Sequence, residues 1–212
     1  MRERSASIYT AALADVLDAR GYRDQTLPPS IRPLSNETTL AGPAFTVRGR
    51  PAERTDYDAA LRKVLAMLGE VPPGHVAVYA CEQDVAAHLG ELSVTSLKAR
   101  GVAGCVLDGG CRDVPFVLEE GFPVFCRFVT PEDSTRRWEL EATQVPITIG
   151  RVEIEPGDWV VGDDDGVVVV PQAIAESVLA EAEEKAGTES EIRAAVRQGM
   201  LPLEAYERYG TF

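Results

Sequence analysis

The residues best suited to chemistry stand together in Val106-Leu-Asp-Gly-Gly-Cys-Arg-Asp113. An apolar run leads into Asp108-Gly109-Gly110 and then delivers Arg112 and Asp113 where a helix is expected to begin. Two adjacent glycines permit unusual backbone angles and close approach of a ligand. The Arg112 guanidinium is a planar fork suited to carboxylate or enolate oxygens. Asp113 offers a hard oxygen ligand for magnesium or manganese. Ligands of open α/β sheets bind just beyond the C-terminal ends of strands, where this segment would lie. Alone, the pattern is equally that of a plain turn with a surface Arg–Asp pair and an Asp helix cap.

The second candidate is Gly90-Glu91-Leu92-Ser93, at the expected start of a helix that ends at Gly101. Free N–H groups at a helix N-terminus attract anions, and a small carboxylate needs no charged side chain to be held there. A glycine at an ordinary helix start looks the same. What sets the segment apart is order: this helix leads straight into the strand that delivers Arg112 and Asp113. A Schiff-base site is disfavoured, because Lys63, Lys98 and Lys185 all fall at ordinary helical positions and a lysine nucleophile wants a desolvated pocket. His75 and His88 follow no nucleophile-elbow pattern. His75 reads as structural at a strand start, whereas His88, two residues before Gly90, is placed where it can line the pocket.

These segments need elements to carry them. Residues 7–20 read as an amphipathic helix closed by Gly21, residues 27–33 as a proline-rich extended linker, and residues 44–47 as a short strand. A second helix covers residues 57–68. Strands at 75–79, 102–107 and 123–128 alternate with helices at 90–100 and 114–120, the pattern of βαβ units in a parallel or mixed sheet. Short runs at 145–149, 152–154, 159–161 and 167–170, parted by Gly150, Pro156-Gly157 and Asp163-Asp164-Asp165-Gly166, read as antiparallel hairpins. Pro171 opens an acidic helix to about residue 186, and a second helical piece covers 189–198.

The chain has 212 residues, 45% of them hydrophobic and 26% charged, enough for a core without disulfide staples. Its net charge of -13 and pI near 4.6 repel phosphate backbones, so nucleic acid is not expected as a partner. Cys81, Cys105, Cys111 and Cys126 make no CxxC pair and read as reduced thiols of a cytosolic protein. No run has the length of a membrane span, and Met1-Arg2-Glu3-Arg4 leads into an amphipathic segment rather than a signal sequence.

The stretch from Leu89-Gly-Glu-Leu-Ser through Ala99-Arg-Gly-Val-Ala-Gly-Cys-Val-Leu-Asp-Gly-Gly-Cys-Arg-Asp-Val114 resembles the signature of the RraA-like family. That family contains 4-hydroxy-4-methyl-2-oxoglutarate aldolases and proteins named regulator of ribonuclease activity A. Ala11-Ala-Leu-Ala-Asp-Val-Leu-Asp18, Ile31-Arg-Pro-Leu34, Ala41-Gly-Pro-Ala-Phe-Thr-Val47 and the hairpin from Pro156 to Pro171 are similar to further family segments, in order along the chain.

The resemblance implies an α/β fold of the swivelling β/β/α type, one domain over residues 1–212 with mixed sheets and a helical C-terminal tail from about 171. It implies a trimer or a pair of trimers. It implies a pyruvate-type ligand held by backbone amides within Gly90, Glu91, Leu92 and Ser93 and by Arg112. A divalent cation, Mg2+ or Mn2+, would be held directly by Asp113 and otherwise through water, with Glu91 beside that water. Glu189, or Glu191 by equal spacing, would be lent by a neighbouring subunit. The activity implied is cleavage of 4-hydroxy-4-methyl-2-oxoglutarate-like acids to pyruvate, with oxaloacetate decarboxylation through the same enolate. The competing implication is a protein-binding inhibitor of ribonuclease E, docked through the acidic helix carrying Glu176, Glu181, Glu183 and Glu184. One departure from the family is the loop Ala80-Cys81-Glu82-Gln83-Asp84, where a glycine is usual. Asp84 reads as a solvated loop residue or as an acid behind the pocket.

Overall fold

Alternate residues of the central strands pack on opposite faces of one sheet, and both faces are covered. On β3 (Val76–Ala80), Ala77 and Tyr79 join one core, whereas Val76 and Val78 join another. This two-sided burial explains why these strands read as unbroken apolar runs rather than alternating ones. Each large side chain so buried contributes about 1.5–3 kcal/mol. The computed structural model describes residues 8–53 and 56–212; Ser7 and the Met1-Arg2-Glu3-Arg4 segment lie outside the described residues.

The parallel part comprises β2 (Leu40–Pro51), β3, β5 (Gly104–Cys111) and β6 (Val124–Val129). The order across the sheet is β1-β6-β5-β3-β2-β10-β11, with β1 at Arg32–Pro33, β10 at Trp159–Asp163 and β11 at Gly166–Val170. The two ends approach each other. Leu27 N–H donates to Val167 O, Val169 N–H donates to Gln25 O, and Arg32 Nη1 reaches the carbonyls of Asp164 and Asp165. The sheet therefore nearly closes into a barrel. The β8–β9 hairpin (Ile147–Ile149, Val152–Ile154) contributes its isoleucines and Val152 to the core with Phe125, Val106 and Val160.

Helices α2 (Tyr57–Glu70), α3 (Glu91–Ala99) and α4 (Val114–Glu120) cover the other face through Met67, Leu68, Val94, Leu97 and Val117. Helix α1 (Thr10–Ala19) packs with α5 (Ala175–Arg197) and β10–β11 around Leu13, Leu17, Val168 and Leu179. A last helix, α6, spans Pro202–Tyr209. This is the expected α/β architecture with mixed sheets and a helical C-terminal tail.

Several boundaries differ from the sequence-based expectation. β2 runs through Gly42-Pro43 to Pro51 because it is shared by β10, β3 and β7 (Trp138–Thr143), with a register shift at Arg48/Gly49. The helix expected to break near residue 187 is continuous. Gly187 weakens it by about 1 kcal/mol, but Val178, Leu179, Ala182 and Ile192 are buried on either side. Strands β4 (Ala87–Leu89) and β7, and helix α6, lie outside the elements expected from the sequence.

Candidate functional site

β5 does not end before Asp108-Gly109-Gly110; it continues through them to Cys111. The two glycines are therefore not a turn. A Cβ on Gly109 would stand 2.6 Å from His88 Nδ1 and 2.9 Å from Cys81 Sγ, and one on Gly110 would stand 2.6 Å from the Phe128 ring. They are strand glycines that let β4 and β6 press against β5, whose pairing with β6 shifts register between Leu107 and Gly110.

The chain turns one residue later. Asp113 adopts a left-handed conformation, φ 56° and ψ 35°, at the N-cap of α4. That costs roughly 1 kcal/mol, least for Asp and Asn. Its side chain does not cap its own helix; Oδ2 instead accepts the Glu91 N–H at 3.2 Å. Arg112 N–H donates to Leu89 O at 3.0 Å, which ties the end of β5 to the end of β4. Gly90 therefore lies directly against the Arg–Asp pair. A Cβ there would stand 2.5 Å from Asp113 Oδ2 and 3.2 Å from Arg112 Nε.

Gly90 is the N-cap of α3, and the first intrahelical bond runs from Val94 N–H to Gly90 O. The N–H groups of Leu92 and Ser93 precede that bond, so they have no intrahelical acceptor and are available to an anion. The Glu91 N–H, expected to be free, is taken by Asp113. Arg112 and Asp113, with Cys111, Val114, Val129, Thr130 and Pro131, line a cavity of about 320 Å³. Leu92 is 79% exposed, and the Glu91, Leu92 and Ser93 side chains are not part of that lining. A larger cavity, about 540 Å³, lies between Tyr9, Leu40, Phe122 and Asp163. Its lysine, Lys98, is engaged by Glu120, so the smaller cavity holds the better-equipped site.

Asp113 is a single, partly exposed carboxylate, and no cluster of three His, Cys, Asp or Glu side chains occurs among the described residues. Magnesium suits such a donor set, since it keeps several waters and is often bound through one or two carboxylates plus substrate. The Asp113 carboxylate is partly exposed and lines the cavity of about 320 Å³, which leaves room for such a hydrated ion.

Sequence reasoning missed Asp133, whose Oδ1 lies 3.6 Å from Arg112 Nη1. No pattern signals it; it arrives from the loop between β6 and β7. Behind the site, Arg127 pairs with Asp84 at 2.6 Å and Asp108 at 3.4 Å. Asp84 is thus an exposed but ion-paired loop acid. Burial raises the pKa of Asp108, and Arg127 opposes that rise. The loop without the usual glycine places Glu82 at φ 54°, a non-glycine residue doing what glycine does more easily.

His88 does not reach the cavity. It is 8% exposed, edge-on to Trp138 at 5.0 Å, and Nδ1 has no hydrogen-bond partner among the described residues. Burial pushes its pKa down to about 4. His75 sits at the surface with Nδ1 3.3 Å from Pro73 O. All four cysteines are buried and unpaired, and burial raises Cys111 to about 12 and Cys126 to about 11. Lys63 and Lys185 pair with Glu139 and Asp15. Within the chain, Glu189 belongs to the α1–α5 packing, where it accepts from Tyr9 Oη and faces Lys185 at 3.7 Å; Glu191 is exposed. No helix among the described residues is long and apolar enough to cross a membrane.

Comparison with known proteins gives a consistent picture. The family model described as RraA-like, Aldolase/RraA, matches residues 10–169. A protein of Halalkalibacterium halodurans, provisionally named 4-hydroxy-4-methyl-2-oxoglutarate aldolase, is 32% identical over 201 residues, covering 94% of this chain and 90% of the relative. An uncharacterised protein from Pseudomonas syringae pv. tomato superposes with a TM-score of 0.89 at 32% identity, over 98% of this chain and 92% of that one. Streptomyces coelicolor RraAS2, described as an unusual member of the RNase ES inhibitor RraA family, superposes with a TM-score of 0.77 at 34% identity, over 90% and 96%.

Proposed function

The chain belongs to the RraA-like family, and on that premise we propose that it is a divalent-metal-dependent carbon–carbon lyase. Its substrates are 4-hydroxy-4-methyl-2-oxoglutarate-like 2-oxo acids, cleaved to pyruvate, with oxaloacetate decarboxylation at the same site. The observation that carries the reading is the convergence of Gly90, Arg112 and Asp113: a glycine whose Cβ would overlap the aspartate, backing a guanidinium and the start of a helix.

The substrate carboxylate lies at the N–H groups of Leu92 and Ser93, where the α3 dipole favours negative charge. Arg112 lies against the 2-oxo oxygen. When the C3–C4 bond breaks, its electron pair becomes the pyruvate enolate, and the guanidinium stabilises the charge that develops there. The C4 hydroxyl gives its proton to a water oriented by Glu91 and becomes a carbonyl, and C3 of the enolate is then protonated. Asp113 directly, with Glu91 and a neighbouring subunit's Glu189 through water, would hold a Mg2+ or Mn2+ ion, and the chemistry such an ion would supply is Lewis acidity. The assembly is a homotrimer or hexamer in a reducing cytoplasm.

The test is pyruvate release from oxaloacetate. Arg112→Ala and Asp113→Ala should each lower it by at least about 100-fold, with unchanged circular dichroism, and chelation should do the same to the unmutated protein. Full activity in either variant or after chelation refutes the mechanism. The likeness to an RNase ES inhibitor relative favours a second reading, docking on ribonuclease E through acidic α5. A pull-down with ribonuclease E separates the two, and a retained pocket does not prevent a surface role.

A further inference from the structure

The Arg112 guanidinium stands between two carboxylates that grip different nitrogens. Asp113 Oδ2 is 3.7 Å from Nε, and Asp133 Oδ1 is 3.6 Å from Nη1. Both separations exceed the roughly 2.7–2.9 Å of a charge-assisted hydrogen bond, so the guanidinium is shared and has collapsed onto neither.

The segment that carries Asp133 is laced to the site. Ala87 N–H donates to Glu132 O at 2.8 Å, Ser134 N–H donates to Ala87 O at 3.2 Å, and Thr130 N–H donates to Cys111 O at 3.1 Å. A parallel bridge pairs Ala87 with Asp133, and Arg137 Nη1 donates to the Asp133 carbonyl at 2.9 Å. Ala87 begins the strand that presents Gly90. The backbone of Asp133 is therefore registered against the same frame as the anion-binding turn. Its imidazole neighbour, His88, is buried and held neutral near pH 7, so it does not compete for the carboxylate.

An arginine with one adjacent carboxylate settles on it, often through two parallel bonds. Here that partner would be Asp113, the group the lyase reading reserves for a cation. We infer that Asp133 is a positioning residue: it holds Arg112 from a second element, keeping the guanidinium aimed at the substrate oxygen and off Asp113. The inference rests on the lyase reading and adds to it a residue that touches neither substrate nor metal.

Oxalate, a planar dianion shaped like the pyruvate enolate, is the probe. Its affinity is measured by calorimetry with Mn2+ present, in the unmutated protein, Asp133→Asn, Arg112→Ala and the double variant. Asp133→Asn should weaken oxalate about tenfold with Arg112 present and less than about twofold in the Arg112→Ala background. The kcat for oxaloacetate should fall about tenfold while KM moves less than about twofold. Glu132→Gln, in the same loop, should leave both unchanged. Equal losses in the two backgrounds, or a Glu132→Gln variant as impaired as Asp133→Asn, overturn the inference. Intact oxalate binding and turnover in Asp133→Asn refute the inference alone, whereas an unmutated protein that neither binds oxalate nor releases pyruvate refutes the lyase reading itself.

Discussion

Replacing Gly90 with alanine exchanges a hydrogen for a methyl group, and the site has no room for the added carbon. The new Cβ would stand 2.5 Å from Asp113 Oδ2 and 3.2 Å from both Cγ and Nε of Arg112. To regain ordinary contact, the Asp113 carboxylate must retreat by about 1 Å, a displacement that can cost about 100-fold in rate. The backbone itself does not resist: Gly90 has φ −141° and ψ −173°, an extended conformation open to alanine. Alanine is a poorer N-cap than glycine by about 0.5–1 kcal/mol, but it lowers the unfolded-state entropy by about as much. Gly90→Ala should therefore keep its melting temperature within about 4 °C while kcat/KM for oxaloacetate falls about 100-fold. The assay couples pyruvate release to NADH oxidation by lactate dehydrogenase. Full kcat/KM in a variant whose crystal structure shows the Asp113 carboxylate displaced would refute the argument that its position governs the reaction.

His88 predicts a pH dependence of stability. Its folded pKa is near 4 against an ordinary value of 6.5, because burial disfavours the charged ring. The unfolded chain takes up a proton below 6.5 and the folded one does not until about 4, so stability present above pH 6.5 is lost as pH falls through that window. The loss from this group is on the order of 3 kcal/mol; urea unfolding at pH 7 and pH 5 should show part of it, and His88→Gln should flatten the slope. Gly187 lies in the middle of α5 with open space around its Cα. Gly187→Ala should raise stability by about 0.5–1 kcal/mol and leave oxaloacetate turnover unchanged; a fall in melting temperature would contradict the continuous helix.

The glycines show where reading the chain succeeds and where it fails. Gly101, Gly121, Gly150 and Gly157 have positive φ and stand at helix ends or turns, as punctuation reasoning expects. Gly42, Gly49, Gly109 and Gly110 look the same in sequence but lie inside strands. A Cβ on Gly49 would stand 2.1 Å from the Trp138 ring, and one on Gly42 would stand 2.4 Å from Gly74 O. Those glycines answer to neighbours far along the chain, which no local pattern reveals. β4 was missed for a similar reason: three residues have too little periodicity to register, and their pairing with β5 makes them a strand.

The sequence by itself determined the alternation of strands and helices, the apolar runs that had to be buried on both faces, and the order in which Gly90, Arg112 and Asp113 follow one another. Those features are local, set by side-chain periodicity and by residue types with few other uses. Only the tertiary structure decided that Asp113 turns back to meet the Glu91 amide, that Asp133 arrives to share the guanidinium, and that His88 packs beneath the site instead of facing it. Each depends on register between strands distant in the chain, where a slip of one residue sends a side chain to the opposite face.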